Sequence, residues 1–373
     1  MVKPISRQRD LRLDFFRGFT LITIFVNHVP GNVFENFTSR NFGFSDAAEA
    51  FVLMAGIAAA FAYSSSVKFS MAEAIRKTAS RSFKLYWVHL LITALAITGV
   101  IILANSLDVR DFLDRNNFRP LLSEPVAGIF GVVTLGHQLG YFNILPLYAV
   151  LILASPFLVN AAIRSPYVLL SVSAGLWLAA GLLQVNFPNY PTSGGWFLNP
   201  LAWQLVFIIG IVIGVSTKEK RSFCSFHPLA YAIAVGYLVL SLIVVRWQLW
   251  SYIQVPSLPT VLFGFNKSYL TLPRLLHVLA LAYTIIHLPT FSKVANSKLV
   301  APVRHLGQNS LVAFATGSVV CILFQVIKAK YQLTIAHDTV LLAVGLSIQF
   351  VAIHIAQRAR QTVGFTARSS KHA

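Results

Sequence analysis

Two neighbouring stretches decide the fold: LRLDFFRGFTLITIFVNH at residues 11–28 and FGFSDAAEAFVLMAG at residues 42–56. Each forms or begins an apolar run of about 20 residues, the length that an α-helix needs to cross the hydrocarbon core of a bilayer. Ionisable side chains within such a helix are costly and usually face a protein interior or a water-filled cavity. The two stretches therefore predict two transmembrane helices that carry polar groups with a functional role.

The composition extends this interpretation to the whole chain. Of 373 residues, 56% are hydrophobic and 11% are charged, and the mean hydropathy is +0.68, whereas a soluble domain carries roughly 25% charged residues. The expected fold is all-α: one membrane-embedded domain over 1–373, with cytoplasmic segments at 1–11 and 358–373. Apolar runs predict ten transmembrane helices near 12–29, 46–64, 85–105, 143–161, 166–184, 200–217, 228–246, 274–291, 305–326 and 338–357.

The distribution of cations predicts the orientation. Lys and Arg total 30 against 12 Asp and Glu, for a net charge of +18. Twenty of the cations fall in connections on the side of the N-terminus and nine fall on the other side, with Arg17 inside the first helix. Cytoplasmic loops carry the excess of Lys and Arg, so both termini are expected in the cytoplasm. The surplus charge is thus a topology signal and does not indicate a nucleic-acid partner.

Two cysteines, Cys224 and Cys321, are the only ones in the chain, and no CxxC or HExxH spacing occurs. Neither a disulfide framework nor a metal site is expected.

Arg17 and His28 are the first candidate site residues. They lie 11 residues apart, about three helical turns or 16.5 Å, and so project from one face of the first helix. This arrangement suits a reaction between partners that arrive from opposite sides of the membrane. An alternative is structural: Arg17 pairs with Asp14 and reaches the interface, while His28 hydrogen-bonds a neighbouring helix. The spacing alone leaves both interpretations open.

Asp46 and Glu49 begin the second helix where the first one ends. An Asp followed three residues later by Glu is typical of a capping box. A carboxylate at this point would also fix the tautomer of the His28 imidazole, as the third member of a catalytic triad does. The two roles are compatible.

A cationic stripe precedes the third helix. Arg76, Lys77, Arg81 and Lys84 fall largely on one helical face on the predicted cytoplasmic side. Such a stripe commonly lies against anionic lipid headgroups, and it would equally suit the phosphates of a cytosolic donor. The sequence does not separate these two roles.

Polar residues recur at helix starts on the opposite side of the membrane. Each alone is typical of a helix cap or a snorkelling side chain, but their common side predicts a polar cavity that opens to the outside. They are Asn143, Gln204, Lys267, Arg274 and His277.

The quoted stretches resemble the OpgC-type osmoregulated periplasmic glucan succinyltransferases, within the acyltransferase-3-like group of membrane acyltransferases. Arg17 and His28 match the basic residue, ten spacers and histidine of that group, and RNFGFSDAAEAF makes the match more specific. NILPLYAVL at 143–151, NPLAWQLVF at 199–207 and PRLLHVLALAY at 273–283 are similar to later blocks. Two stretches depart from the pattern: QNS at 308–310 replaces a basic or histidine-containing triplet, and 55–57 lacks a polar or aromatic run.

The resemblance implies a multi-pass protein of the bacterial inner membrane that transfers an acyl group from a cytosolic acyl-CoA to sugar hydroxyls of a periplasmic glucan, without a metal; succinyl-CoA is the expected donor and an acetyl donor is the alternative. In the mechanism that we expect, His28 is the general base and Asp46 or Glu49 orients it. Arg17 stabilises the thioester end of the donor or the polar lining of its path. The CoA phosphates would be held by Arg76, Lys77, Arg81, Lys84 and Arg304. The succinyl carboxylate or the acceptor would contact Asn27, Asn143, Gln204, Lys267, Arg274 and His277.

A second hypothesis comes from another class of protein. A proton-coupled transporter or exporter would use His28, Asp46 and Glu49 as a proton relay. The two classes differ in donor dependence, because a transporter moves its substrate without covalent change.

Overall fold

The computed structural model describes residues 10–221, 224–253 and 258–369, with side chains described as far as residue 362. Within these ranges the protein is all-α, as predicted, and one isolated β-bridge joins Pro188 and Gly195. Of the predicted cytoplasmic segments at 1–11 and 358–373, residues 1–9 and 370–373 lie outside the described residues, and 358–369 are helical. The ten long helices are α1 (Leu11–Asn27), α2 (Ala47–Phe69), α3 (Met71–Ser106), α4 (Ile144–Arg164), α5 (Pro166–Leu182), α6 (Pro200–Lys218), α7 (Pro228–Arg246), α8 (Leu272–His287), α9 (Ser310–Lys330) and α10 (Ile335–Ser369).

Each predicted apolar run coincides with one of these helices. Seven of them are long and apolar enough to cross a membrane within the described part of the chain, and an eighth is added if α8 and the helix after it form one bent span. Helices α1 and α5 have 17 residues each, about 25 Å of helix against a core of about 30 Å. The protein is therefore a polytopic membrane protein, and ten full crossings remain a prediction.

The connection between α2 and α3 differs from the prediction. The apolar runs predict helices at 46–64 and 85–105 with a connection at 65–84, but α2 continues to Phe69 and α3 begins at Met71. Ser70 alone joins them, and its side chain accepts a hydrogen bond from the Glu73 N–H as the N-cap of α3. The segment AEAIRKTASRSFK is rich in residues that favour helices. Because its hydropathy is low, it was not included in a predicted membrane span.

Two predicted helices are interrupted. Helix α8 ends at His287, and Pro289–Asn296 continues at an angle of 76°, because Pro289 cannot extend the helical hydrogen bonding and disfavours helical geometry at the residue before it. The predicted helix at 305–326 consists of Ala301–Gln308 and α9, with Asn309 between them. A 3₁₀ turn at Lys298–Val300 joins these segments to the preceding helix.

Small residues bring α1 and α2 close to their neighbours. A Cβ at Gly56 of α2 would overlap the carbonyl oxygen of Phe207 in α6. In the same way, a Cβ at Gly18 of α1 would overlap the carbonyl oxygen of Val303, and one at Gly307 that of Asp14. Helix α1 is thus held tightly against Ala301–Gln308, and the positions of Arg17 and His28 follow from that contact.

The longer connections carry short helical turns at the end of the bundle that holds His28. We call this the His28 end, and we call the opposite end, where Ser70 joins α2 to α3, the Ser70 end. The turns are Val33–Phe37, Ser39–Asn41, Arg110–Asp114, Arg119–Ser123, Pro125–Val133, Trp250–Ile253 and Thr260–Phe263.

Candidate active site

His28 directly follows α1 and closes that helix, donating its backbone N–H to the carbonyl of Ile24 at 3.0 Å. Its ring stacks on that of Tyr141, with centroids 4.0 Å apart and an interplanar angle of 15°. Gln325 of α9 donates to the His28 carbonyl at 2.7 Å. No described residue hydrogen-bonds either ring nitrogen of His28. The backbone and ring face are fixed, and the ring nitrogens remain available to a substrate.

Four charged side chains form an ion cluster beside His28: Asp46, Glu49, Lys267 and Arg274. Lys267 Nζ lies 2.5 Å from Asp46 Oδ2, and the Arg274 guanidinium lies 2.5 Å from Glu49 Oε1 and 3.5 Å from Asp46 Oδ2. The predicted capping box is confirmed: Asp46 Oδ1 accepts from Ala48 N–H, and Glu49 Oε2 accepts from Asp46 N–H. The cluster therefore closes the start of α2 and joins it to the start of α8.

This cluster controls the ionisation of His28 and Asp46. Burial lowers the pKa of His28 to about 3, with Lys267 and Arg40 acting in the same direction and the Asp46 carboxylate acting against them. Burial opposes the ionisation of Asp46, but the Lys267 ammonium and the Arg274 guanidinium hold its pKa well below its usual range. At neutral pH His28 is an uncharged imidazole beside an ionised Asp46.

The carboxylates do not contact His28 as the sequence analysis expected. The carboxylate oxygens of Asp46 and Glu49 accept the capping-box hydrogen bonds and pair with Lys267 and Arg274. Neither carboxylate therefore orients the imidazole through a hydrogen bond. Tyr141 holds the ring instead, and Asp46 acts on it through its charge. Lys267 and Arg274 are likewise committed to these carboxylates, which leaves them little capacity to receive a succinyl carboxylate as expected.

An apolar cavity of ≈ 220 Å³ runs inside the bundle between α1, α2, α3, α4 and α9. Its wall on α2 extends from Phe51 to Tyr63, thirteen residues that span about 18 Å of helix. Arg17 and Arg81 also line this cavity, together with small side chains such as Ala55 and Ala59. Near the His28 end, the ring of Tyr148 stacks on that of Phe51 with centroids 5.6 Å apart, and its hydroxyl donates to the Phe51 carbonyl.

A polar cavity of ≈ 280 Å³ lies at the His28 end. Among its lining residues are Asn117, His137, Gln138, Asn143, Asn189 and Phe197. The two cavities approach each other at the start of α4, where Asn143 lines the polar cavity and Leu145, two residues later, lines the apolar one. Tyr141, the stacking partner of His28, precedes Asn143 by two residues.

The other residues predicted to bind the acceptor have different surroundings. Gln204 is buried and exchanges hydrogen bonds with Ser173 of α5, accepting from its hydroxyl at 2.6 Å and donating to its carbonyl at 2.9 Å. His277 Nδ1 lies 2.7 Å from the Ser45 hydroxyl. Asn27 accepts from the Thr38 hydroxyl at 2.6 Å. Gln204 and His277 line neither cavity and hold neighbouring elements together, so the expected polar cavity is smaller and lies closer to Asn143.

The residues predicted to bind the acyl-CoA donor do not form one site either. Arg76, Lys77, Arg81 and Lys84 are exposed on α3, and Lys77 pairs with Glu73 at 2.5 Å. Arg81 alone of these four lines the apolar cavity. Arg304 donates to the carbonyls of Ala295 and Ser297 at 2.6 Å each, and so it joins the end of the Pro289–Asn296 helix to Ala301–Gln308.

Several residues at the site escaped the sequence analysis. Tyr141 and His137 belong to TLGHQLGYFN, a polar stretch directly before Asn143 in which Gly140 has a positive φ of 33°. Its polar and glycine content within a largely apolar chain was the available signal. Phe197 and Asn189 come from another loop, and no spacing in the sequence connects the two segments.

The helices and cavities define a class: a polytopic α-helical membrane protein with an apolar passage, a polar cavity and an uncharged histidine near their closest approach. The family model described as "OpgC protein" matches residues 9–361, and the chain belongs to this family. No curated protein and no solved structure is significantly similar to it. Membership supports a role in the modification of osmoregulated periplasmic glucans and assignment to the transferases.

Proposed function

We propose that the protein is a membrane-bound O-acyltransferase that moves a succinyl group from cytosolic acyl-CoA to a sugar hydroxyl of a periplasmic glucan. One observation carries the proposal: Leu145 lines the apolar cavity, Asn143 lines the polar cavity, and the His28 ring stacks on Tyr141, two residues before Asn143. In a cell, this would let a donor from one side of the membrane meet an acceptor from the other.

The donor would enter from the Ser70 end, which the cation distribution predicts to be cytoplasmic. Exposed Arg76, Lys77 and Lys84 would hold the CoA phosphates near the surface, with Arg81 at the mouth of the cavity. The thioester arm would lie along the alanines of α2. Arg17, which lines the same cavity, would stabilise the polar thioester end or hold the carboxylate of a succinyl group.

The acceptor would enter the polar cavity with one hydroxyl directed at His28. A ring nitrogen of His28 takes the hydroxyl proton while the oxygen attacks the thioester carbonyl carbon. The carbon–sulfur bond then breaks, and the departing sulfur receives the proton from the imidazolium. Burial and Lys267 oppose this imidazolium, and the charge of Asp46 favours it. Asp46 would therefore assist His28 through its charge and without direct contact.

The test is transfer by the purified protein in sealed vesicles. Succinyl-CoA is supplied on the side of the Ser70 end and a glucose oligosaccharide on the other side, and mass spectrometry follows the sugar. Succinylated sugar that depends on both the donor and His28 supports the proposal. Oligosaccharide that crosses the membrane unmodified, without consumption of CoA thioester, supports the transporter instead.

The ion pairs of Asp46 weigh against the proton relay of the transporter hypothesis. A relay needs carboxylates that take up and release protons. Asp46 is held ionised by Lys267 and Arg274, and Glu49 is bonded to Arg274.

A further inference from the structure

Tyr141 carries a hydroxyl group beside the proposed base. Its ring lies nearly parallel to that of His28, with an interplanar angle of 15° and centroids 4.0 Å apart. Both side chains are partly exposed. The Tyr141 hydroxyl has no hydrogen-bond partner among the described residues. The fold does not use this donor, so it is open to a reacting group that approaches His28.

The proposed reaction creates a charge that needs such a donor. When the sugar oxygen attacks the thioester carbonyl carbon, the electrons of the carbonyl double bond move to the carbonyl oxygen and a tetrahedral oxyanion forms. Acyl-transfer sites stabilise this oxygen with hydrogen-bond donors that are already in position. The imidazole of His28 takes the proton of the sugar hydroxyl in this mechanism. Another group must therefore donate to the oxyanion.

The cations around His28 are paired with carboxylates. Lys267 and Arg40 lie close enough to act on the charge of His28. Lys267 Nζ lies 2.5 Å from Asp46 Oδ2, and the Arg40 guanidinium lies 3.3 Å from Glu35 Oε2. The negative partner cancels much of the field of each cation at a third group. The tyrosine hydroxyl has no such partner.

This hydroxyl keeps its proton at neutral pH. Burial raises the pKa of Tyr141 above its ordinary value near 10. The Arg40 guanidinium acts in the opposite direction, whereas Cys321 and Glu35 act in the same direction as burial. A phenol that is neutral at pH 7 can donate a hydrogen bond to a developing oxyanion.

A closed ring of contacts fixes Tyr141 relative to His28. Gln325 Nε2 donates to the His28 carbonyl at 2.7 Å, and Gln325 Oε1 accepts from Asn116 Nδ2 at 3.0 Å. The Asn116 carbonyl accepts from the N–H of Gly140, the residue before Tyr141, at 3.1 Å. The stack between the two rings completes the circuit. The base and the hydroxyl are thus held in place before a substrate binds, as a catalytic donor requires.

The chain around Tyr141 borders both cavities. Gly140 and Asn143 line the polar cavity, and Leu145 lines the apolar one. A sugar in the first and a thioester in the second would therefore meet near this tyrosine. Hydrogen bonds of about 2.7–3.0 Å from the imidazole and the phenol would reach two oxygens of one tetrahedral carbon. These are the attacking sugar oxygen and the former carbonyl oxygen.

We propose that Tyr141 is a second catalytic residue, whose hydroxyl donates a hydrogen bond to the oxyanion of the tetrahedral intermediate. The proposal rests on the proposed function, which supplies the thioester and the sugar hydroxyl. The phenol proton stays on Tyr141 throughout. When the carbonyl double bond forms again, the carbon–sulfur bond breaks, and the sulfur takes the proton that His28 received from the sugar. The hydrogen bond is strongest in the charged state, so it accelerates transfer without tightening substrate binding.

The experiment compares Tyr141→Phe with the wild type in the vesicle assay, with succinyl-CoA and a glucose oligosaccharide as substrates. The variant keeps the ring that stacks on His28 and lacks only the hydroxyl. We expect kcat to fall about 10²- to 10³-fold, the cost of one oxyanion donor, with both KM values nearly unchanged. Tyr190→Phe is the matched control and should keep the wild-type kcat. Its ring packs on that of Phe130 at 5.6 Å, its hydroxyl has no partner among the described residues, and it lines neither cavity.

A fluorinated tyrosine at position 141 gives a readout that a structural role would not move. Fluorine makes the phenol more acidic, and an ionised phenolate cannot donate. The alkaline limb of kcat should therefore shift to lower pH, while thermal stability stays that of the wild type near neutral pH.

Three results would overturn the role of Tyr141. One is a kcat of Tyr141→Phe within a few-fold of the wild type. Another is an alkaline limb that the fluorinated residue does not move. The third is a raised KM for the sugar with unchanged kcat, which would assign the hydroxyl to acceptor binding. The proposed function fails differently: wild-type protein then consumes no CoA thioester and transfers no acyl group.

Discussion

Replacement of His28 by Ala isolates the proposed base, because the side chain does little else for the fold. Its ring makes one described stacking contact, with Tyr141, and no described hydrogen bond through its nitrogens. Loss of an aromatic pair costs about 0.5–1.5 kcal/mol beyond the buried area, which a protein of this size tolerates. Loss of general-base assistance lowers the rate by about 10² to 10⁴. Succinylation should therefore fall below detection while the protein still inserts and binds sugar.

The assay is succinyl transfer to a glucose oligosaccharide by purified protein in vesicles, with thermal stability measured alongside. His287→Ala is the matched control, since His287 also packs its ring on a tyrosine, Tyr283, at 4.5 Å, and lines neither cavity. A His28→Ala rate within a few-fold of the wild type would refute the role of the base. Equal loss in His287→Ala would show that the effect is structural.

The pH profile gives an independent check on His28. Its pKa of about 3 keeps the imidazole neutral well below the ordinary value near 6.5. The acid limb of activity should therefore not appear at pH 6–7. Stability changes in the corresponding sense: the unfolded state binds the proton more readily, so the stabilising contribution of His28 is complete above about pH 6.5 and is lost as the pH falls toward 3. A wild-type acid limb centred at pH 6.5 would contradict the lowered pKa of His28.

Three further outcomes are expected. Lys77→Ala combined with Arg81→Ala should raise the KM for acyl-CoA and change the KM for the sugar less; an unchanged donor KM in correctly inserted protein would assign the stripe to lipid contact. Single cysteines at Arg81 and Lys218 should resist an impermeant thiol reagent applied from the periplasm, whereas one at Tyr252, 84% exposed, should react; the reverse pattern would invert the topology. Ala55→Leu should narrow the apolar cavity and reduce transfer about tenfold or more without affecting sugar binding, with overpacking costing about 1–3 kcal/mol of stability. Full activity in that variant would remove the cavity from the donor path.

The sequence predicted what local chemistry determines. Asp46 and Glu49 have the spacing of a capping box, and the box forms as expected. The apolar runs placed the ten long helices because hydropathy is a property of neighbouring residues. The extension of α3 back to Met71 was missed for the same reason, since its first turns are helical but amphipathic.

Hydropathy and residue spacing do not predict contacts between segments that are distant in the sequence. Lys267 and Arg274 were assigned to a substrate because, in the sequence, nothing places them beside Asp46 and Glu49, more than 200 positions earlier. Both side chains form ion pairs with these carboxylates. Tyr141 replaces the expected carboxylate as the neighbour of His28, and an aromatic stack between two turns far apart in the chain leaves no signature in residue spacing.

The stacked rings of Phe51 and Tyr148 have a consequence for the energy balance of the cell. They lie where the apolar cavity approaches the polar one. The Tyr148 hydroxyl donates its hydrogen bond to the Phe51 carbonyl, so it is not available to hold water. A continuous file of water through the bundle would dissipate the proton-motive force across the bilayer. In the proposed reaction an acyl arm would occupy the apolar cavity, while the two packed rings would exclude the water that hydrated ions need. The proposed acyl transfer and the electrical sealing of the membrane would then depend on the same pair of side chains.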